Sequence, residues 1–418
     1  MLFPPRTAES ARRVVVTGVG IITAYGWGWE RNAEGFRWGR TSFRPVTLFD
    51  VSRQRVRKAA EVDLPESLPP TRLSGRKTAR FERAAKLLFF AADEALRQAA
   101  WSEEWSNGVT PIVLGTTSGG MTRGEEFFRG ELSQEKKQQA TRVTYYVAQR
   151  QVIDLAEAYG LRGPVSIIAN ACAAGANGVG HAFELVRSGQ FERAVAGGYD
   201  ALSQLVFSGF DSLQALSPTS CRPFDAHRDG LALGEGAAVL ILETLELAMK
   251  RGAAMLGEIV GYSAATDAHH LAQPHPQGDA ALSTMRGACA QAGVEPAQIS
   301  YINAHGTGTP LNDSSEANAI NRWAGAEVED IWVSSTKAGI GHLLGAAGAV
   351  ESVACLMALK EQWLPPMTTT QTPDASVKFN LVQKPMKAKE LNRPFEYALS
   401  NSFGFGGANA SLLFRRFP

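Results

Sequence analysis

Cys172, His305 and His342 are the residues whose types and settings could carry covalent chemistry. Cys172 lies in Ala171-Cys172-Ala173-Ala174-Gly175, after an apolar run at 165–169 and before a helical pattern reaching about Arg187. At a helix N-terminus a thiol meets unpaired backbone N–H groups and the positive end of the helix dipole, and both favour the thiolate. The small neighbours leave room for an acyl group and let backbone amides approach a developing oxyanion. A buried structural thiol is the ordinary alternative; on this segment alone the two readings stand level. His305 sits in Asn303-Ala304-His305-Gly306-Thr307-Gly308-Thr309, and His342 in VSSTKAGIGHLLGAAGAVES, which also carries Lys337 and Glu351. Each imidazole follows an apolar run in a glycine-rich loop, and open α/β sheets gather catalytic groups at the C-terminal ends of strands. Chance placement of two such histidines beside one candidate nucleophile is improbable.

The elements that must hold these groups are short apolar runs alternating with longer helical stretches, the pattern of an α/β protein with buried sheets. Residues 14–17 read as a first strand stopped at Gly18 and Gly20, and residues 81–100 as an amphipathic helix. Strands are expected at 111–114, 165–169, 194–196 and 237–242. The order then recurs, with strands at 259–262, 299–302 and 331–335, helices at 278–292 and around 341–360, and closing strands at 398–401 and 410–414. GEGAAVLIL and GGANASLLF hold matching places near the ends of the two parts. A duplicated α/β unit divided near residue 255 accounts for this; one large domain without duplication is the alternative. The stretch 43–75, with four prolines, reads as an excursion from the sheet.

The runs ACAAG, NAHGTGTP, SSTKAGIGHLLGAAGAVE and NSFGFGGAN resemble, in that order, the landmark segments of elongating β-ketoacyl-ACP synthases. The resemblance spans the chain from Val14 to Phe414. It implies an α/β thiolase-like fold, a five-layered α-β-α-β-α core built from two duplicated halves. Residues 12–255 would carry the nucleophile and 256–418 the two histidines. By position Cys172 matches the acyl-accepting nucleophile, and His305 and His342 complete a Cys–His–His triad ordered by Lys337 and Glu351. Thr307 and Thr309 match residues that bind the phosphopantetheine arm, and Phe405 matches a gating phenylalanine. Asn401 and Ser402 either shape that loop or serve as ordinary turn residues. The implied reaction is decarboxylative Claisen condensation of malonyl-ACP with a Cys-bound acyl chain, giving 3-oxoacyl-ACP in fatty acid, polyketide or polyene biosynthesis. The oxyanion would meet the backbone amides of Cys172 and Phe405. No metal or organic cofactor is implied, because phosphopantetheine arrives on the acyl carrier protein. Asn170, the two alanines after Cys172, Ser118 and Ala408 depart from common family choices and leave the acyl group and chain length open.

Composition bounds the rest. The chain has 418 residues, 44% hydrophobic and 20% charged, with a net charge of +1 that gives no polyelectrolyte signal for nucleic acid. Four scattered cysteines without a CxxC pair argue against a disulfide framework and a zinc site. With no signal-like apolar segment and no membrane-length run, a soluble cytoplasmic protein is expected. Residues 51–86 hold ten Lys or Arg against four acids, either a solvated face or a dock for an acidic carrier. The resemblance selects Arg76, Lys77 and Arg80 for docking. His269, His270 and His275 lack the carboxylate or cysteine that would complete a usual metal set, and the resemblance implies a loop beside the arm's channel. The VTGVG run lacks the glycine series of a dinucleotide fold. A nucleophile-less chain-length factor is the first rival, opposed by Cys172. A thiolase is the second, opposed by the absence of cysteine from the GFGG loop. Family members dimerise through strands near the nucleophile, here with an identical chain or a ketosynthase-like paralogue.

Overall fold

Ten principal strands form where the apolar runs lie. They are β1 (Val14–Thr23), β2 (Ile112–Gly115), β3 (Val165–Ile168), β4 (Arg193–Asp200), β5 (Gly236–Thr244), β6 (Gly257–Thr266), β7 (Ile299–Asn303), β8 (Trp332–Ser334), β9 (Tyr397–Phe403) and β10 (Ala408–Arg415). The computed structural model describes residues 11–101, 108–133 and 140–418. Hydrogen bonding orders the first five strands β3-β2-β4-β5-β1 and the second five β8-β7-β9-β10-β6, with the short strand Asn380–Leu381 added beside β8. Each set therefore runs third, second, fourth, fifth, first. The senses match too. The second strand of each set is parallel to its two neighbours, and the fifth is antiparallel to both of its own. β1 and β6 pair antiparallel through Val14–Val16 and Gly257–Ile259, which joins the two sets.

Helices complete five layers. Outermost on one side, α1 (Arg83–Gln98) covers β1 and β5. Between the sheets lie α2 (Ala174–Arg187) and α5 (Ala347–Glu361), which touch each other. On the far side α3 (Asp279–Ala292) covers β6 and β10, and α4 (Pro310–Ala324) packs on α3. Every residue of α5 from Ala347 to Leu359 is buried, as a helix apolar all round must be. This is the five-layered α-β-α-β-α core expected from the sequence.

One boundary differs instructively. β1 does not stop at Gly18 but continues to Thr23 through both glycines. A Cβ on Gly18 would lie 2.2 Å from the Ala95 carbonyl oxygen, and one on Gly20 1.8 Å from that of Ala91. The glycines thin the strand so that the α1 backbone can cross it closely; they do not end it. The excursion at 43–75 carries a paired strand couple, Arg44–Pro45 with Lys58–Ala59. Among the described residues no helix is long and apolar enough to cross a membrane, and no cluster of His, Cys, Asp or Glu suits a metal ion.

Candidate active site

β3 ends at Ile168, and the chain reaches α2 through a sharp turn in which Ala171 adopts φ 56°. A left-handed alanine is strained, and such strain collects at functional turns. It sets Cys172 at the sheet's C-terminal edge, 7% exposed, one residue before the last pre-helical position. The loop after β9 closes over it. A Cβ on Gly404 would lie 3.1 Å from the Cys172 nitrogen, so a glycine there permits the approach. The backbone N–H groups of Phe405 and Cys172 both act to lower the thiol's pKa. Two amides set beside a thiol could serve as an oxyanion hole for an acyl group held there.

Burial pushes the Cys172 thiol up to about 11, while the Lys337 charge and the two amides pull the other way. The helix-favoured thiolate expected from the sequence is therefore not the resting form. Desolvation in a closed site outweighs a few dipoles.

His305 and His342 are 3% and 1% exposed, with ring centroids 5.4 Å apart and planes at 85°. The Leu344 N–H donates to His342 Nδ1 at 3.0 Å, which puts the ring proton on Nε2. That Nε2 is buried without a protein partner, and so is His305 Nδ1. Burial first, then Lys337, holds both imidazoles well below the ordinary histidine range, and His342 adds to the effect on His305. Both rings are thus neutral near pH 7. Lys337, at the start of the short helix Lys337–Ile340, pairs with Glu351 of α5, and neither side chain exceeds 2% exposure.

Three buried carboxylates that the sequence reading missed fix the loops. Glu316 of α4 accepts from the backbone of His305 at 2.9 Å and Gly306 at 2.8 Å, and from Asn401 Nδ2 at 3.2 Å. Burial pushes it up to about 7. Asp200, ending β4, accepts from Thr116 Oγ1, Thr117 N and Ser118 N at 2.8 Å each and from Gly345 N at 2.6 Å. It clamps the loop after β2 to the loop bearing His342, and burial pushes it up to about 6. Asp313 accepts from Phe224 N at 2.8 Å and Gly308 N at 3.1 Å. Only Asp200, between Tyr199 and Ala201 at the end of an apolar run, carried a local signal; Asp313 and Glu316 lie in the polar run Asn312-Asp313-Ser314-Ser315-Glu316, which carried none.

A cavity of about 560 Å³ unites Cys172, His305, His342, Thr307, Thr309 and Phe405. The two threonine hydroxyls lie 2.9 Å apart, and Phe405, 42% exposed, stacks on Phe210 at 5.9 Å. His270 lines the same cavity. Lys337 and Glu351 stand behind this lining. Arg76, Lys77 and Arg80 lie elsewhere, on and just after the short helix Gly75–Thr78, where Lys77 is paired with Asp154 at 3.1 Å and with Glu157.

Residues 11–248 match the β-ketoacyl synthase N-terminal domain, and residues 256–371 match its C-terminal domain. The chain belongs to the β-ketoacyl synthase family. It is 36% identical to a 3-oxoacyl-[acyl-carrier-protein] synthase 2 of Synechocystis sp., over 97% of this chain and 98% of that protein. The ishigamide ketosynthase/chain length factor superposes with a TM-score of 0.88 at 30% identity, over 98% of this chain and all of that one. A ketosynthase solved with its type II polyketide acyl-carrier protein gives 0.87 at 26%, over 97% and 100%. This synthase is accordingly a condensing acyltransferase of the thiolase fold, in a family that needs no free cofactor.

Proposed function

We propose that Cys172, His305 and His342 carry out decarboxylative condensation on carrier-bound thioesters, in fatty acid or polyketide/polyene biosynthesis. In the first half-reaction the Cys172 sulfur attacks an acyl thioester, and the oxyanion is held by the N–H groups of Cys172 and Phe405. The C–S bond to the pantetheine breaks, and the proton lost by Cys172 ends on the departing pantetheine thiol. A high thiol pKa is tolerable here, because attack and proton transfer are balanced by the leaving group.

In the second half-reaction a malonyl thioester loses carbon dioxide, leaving an enolate. His342 Nε2–H and the His305 imidazole face that oxygen as neutral donors. The enolate carbon attacks the acyl carbon, the C–S bond to Cys172 breaks, and one proton returns the sulfur to its thiol. The 3-oxoacyl thioester leaves two carbons longer. Lys337 and Glu351 keep the histidines neutral and in place, while Thr307 and Thr309 hold the pantetheine arm and Phe405 gates the acyl site. The observation that carries this reading is the unpartnered Nε2 of His342 sharing one cavity with Cys172.

The carrier is an acidic acyl carrier protein, with Arg76, Lys77 and Arg80 as outer electrostatic contacts. Residues 12–255 and 256–418 act as nucleophile-bearing and histidine-bearing halves of one cytoplasmic enzyme. β3 is an open sheet edge whose Val165 is 37% exposed, and it supplies the dimer seam with an identical chain or a paralogue. Mass spectrometry after incubation with acyl-carrier thioester should show an acyl adduct on Cys172 and none on Cys172→Ala. Undiminished condensation by Cys172→Ala would end this assignment.

A further inference from the structure

His342 opens a strained turn. Leu344, just beyond it, is buried at φ 53°, a left-handed conformation that costs a leucine free energy. Such a residue persists where its surroundings over-determine it. Upstream those surroundings are backbone: the His342 N–H donates to the Ala232 carbonyl at 2.7 Å, and the His342 carbonyl accepts from the Gly234 N–H at 3.0 Å. Downstream two side chains join in. The Leu344 N–H donates to His342 Nδ1 at 3.0 Å, and the next amide, that of Gly345, donates to Asp200 Oδ2 at 2.6 Å.

Asp200 is buried at the end of β4 and also accepts at 2.8 Å from Thr116 Oγ1, Thr117 N and Ser118 N, so one carboxylate gathers donors from two loops. The loops meet without slack. A Cβ on Gly345 would lie 2.4 Å from the Thr117 nitrogen and 2.7 Å from the Asp200 carboxylate, and one on Gly175 2.6 Å from the Gly345 carbonyl oxygen. Bare backbone from the loop after β2 and from the start of α2 therefore packs against the His342 turn. Contacts this close transmit a displacement rather than absorb it.

We infer that Asp200 is a positioning residue for His342: it holds the strained turn at Leu344, and with it the orientation and tautomer of the imidazole, against the loop after β2. This rests on the condensing reading above and gives a buried carboxylate a task in the second half-reaction. The first half-reaction feels Asp200 as a charge. Burial holds the Cys172 thiol up, Lys337 opposes this, and Asp200 adds to it, while both imidazoles of the site are neutral.

The two half-reactions should therefore part in Asp200→Asn, whose amide cannot accept from all of these donors. For carbon dioxide release from malonyl-carrier thioester, kcat should fall roughly 10- to 100-fold at an unchanged KM, the scale of a displaced catalytic group. Acyl transfer from acyl-carrier thioester to Cys172 should keep the parent's rate or exceed it, with its pH profile moved to lower pH, because a negative charge acting on the thiolate is gone. Thr116→Val keeps the carboxylate and removes one donor, so carbon dioxide release should fall about fivefold with the acyl-transfer profile unmoved. An Asp200→Asn enzyme that releases carbon dioxide within about twofold of the parent, or loses both steps in equal proportion, overturns the assignment. If that variant does not fold, an equal loss of both steps in Thr116→Val does the same. A parent enzyme that releases no carbon dioxide from malonyl-carrier thioester would instead count against the condensing reading itself.

Discussion

Replacing Lys337 with methionine removes one member of an ion pair that is almost completely out of water. Lys337 and Glu351 are 1% and 2% exposed, and Glu351 Oε2 already lacks a partner. At an effective dielectric of about 20, a contact pair gains on the order of 4 kcal/mol gross, much of it offset by desolvation. Stranding Glu351 alone should therefore cost about 3–5 kcal/mol. With an unfolding entropy of about 2.1 cal/mol/K per residue, the melting temperature would fall by roughly 3–6 °C. Lys337→Met/Glu351→Leu should recover most of that loss, because neither charge then needs a partner. A second readout separates the electrostatic role from a packing role. Lys337 is the largest cause after burial that lowers both histidines. Without it their pKa values rise, and the acid limb of malonyl decarboxylation should move to higher pH in the single and double variants. The assays are urea unfolding and carbon dioxide release from malonyl-carrier thioester across pH 5–8. If Lys337→Met were as stable as the parent, or the double variant no better than the single, the account of the pair as a buried, mutually dependent charge couple would be wrong.

His342→Ala should slow malonyl decarboxylation by about 100-fold or more, the scale of losing one oxyanion donor, while Cys172 still takes up its acyl group; loss of acylation instead would reassign the histidine. Glu316→Gln turns an amide NH2 toward the N–H groups of His305 and Gly306, so kcat should fall while the mass of the acyl adduct is unchanged, as single-turnover assays would show. Burial raises Glu82 and Glu316 to about 7, above their unfolded values. Folding therefore takes up protons, and the stability these groups contribute is lost as pH rises through 7. Between pH 6.5 and pH 8 the urea midpoint should fall further in the parent than in Glu82→Gln, which cannot take up that proton, while the buried neutral histidines act alike in both; an equal fall would refute the assigned direction.

The chemistry-bearing loops were legible because their signal is local. A cysteine between alanines, or a histidine in a glycine-rich run after an apolar strand, shows its backbone requirements within a few neighbours. The repeated strand pattern was legible for the same reason, since burial on both faces of a sheet writes itself as short continuous apolar runs. The third-second-fourth-fifth-first order in each half could not be read that way, because pairing partners are chosen by contacts between distant segments.

Residue identity by itself offered the candidate groups: the Cys172 sulfur, the imidazoles of His305 and His342, and the loops that hold them. Tertiary structure decided their states and their company. Asp200, Glu316 and Asp313 matter only because folding brings backbone N–H groups to them from other loops, as Gly345 is brought to Asp200 across 145 positions. Cys172 sits where sequence reasoning put it, but its resting proton follows from burial, a property of the whole packed site that no local pattern records.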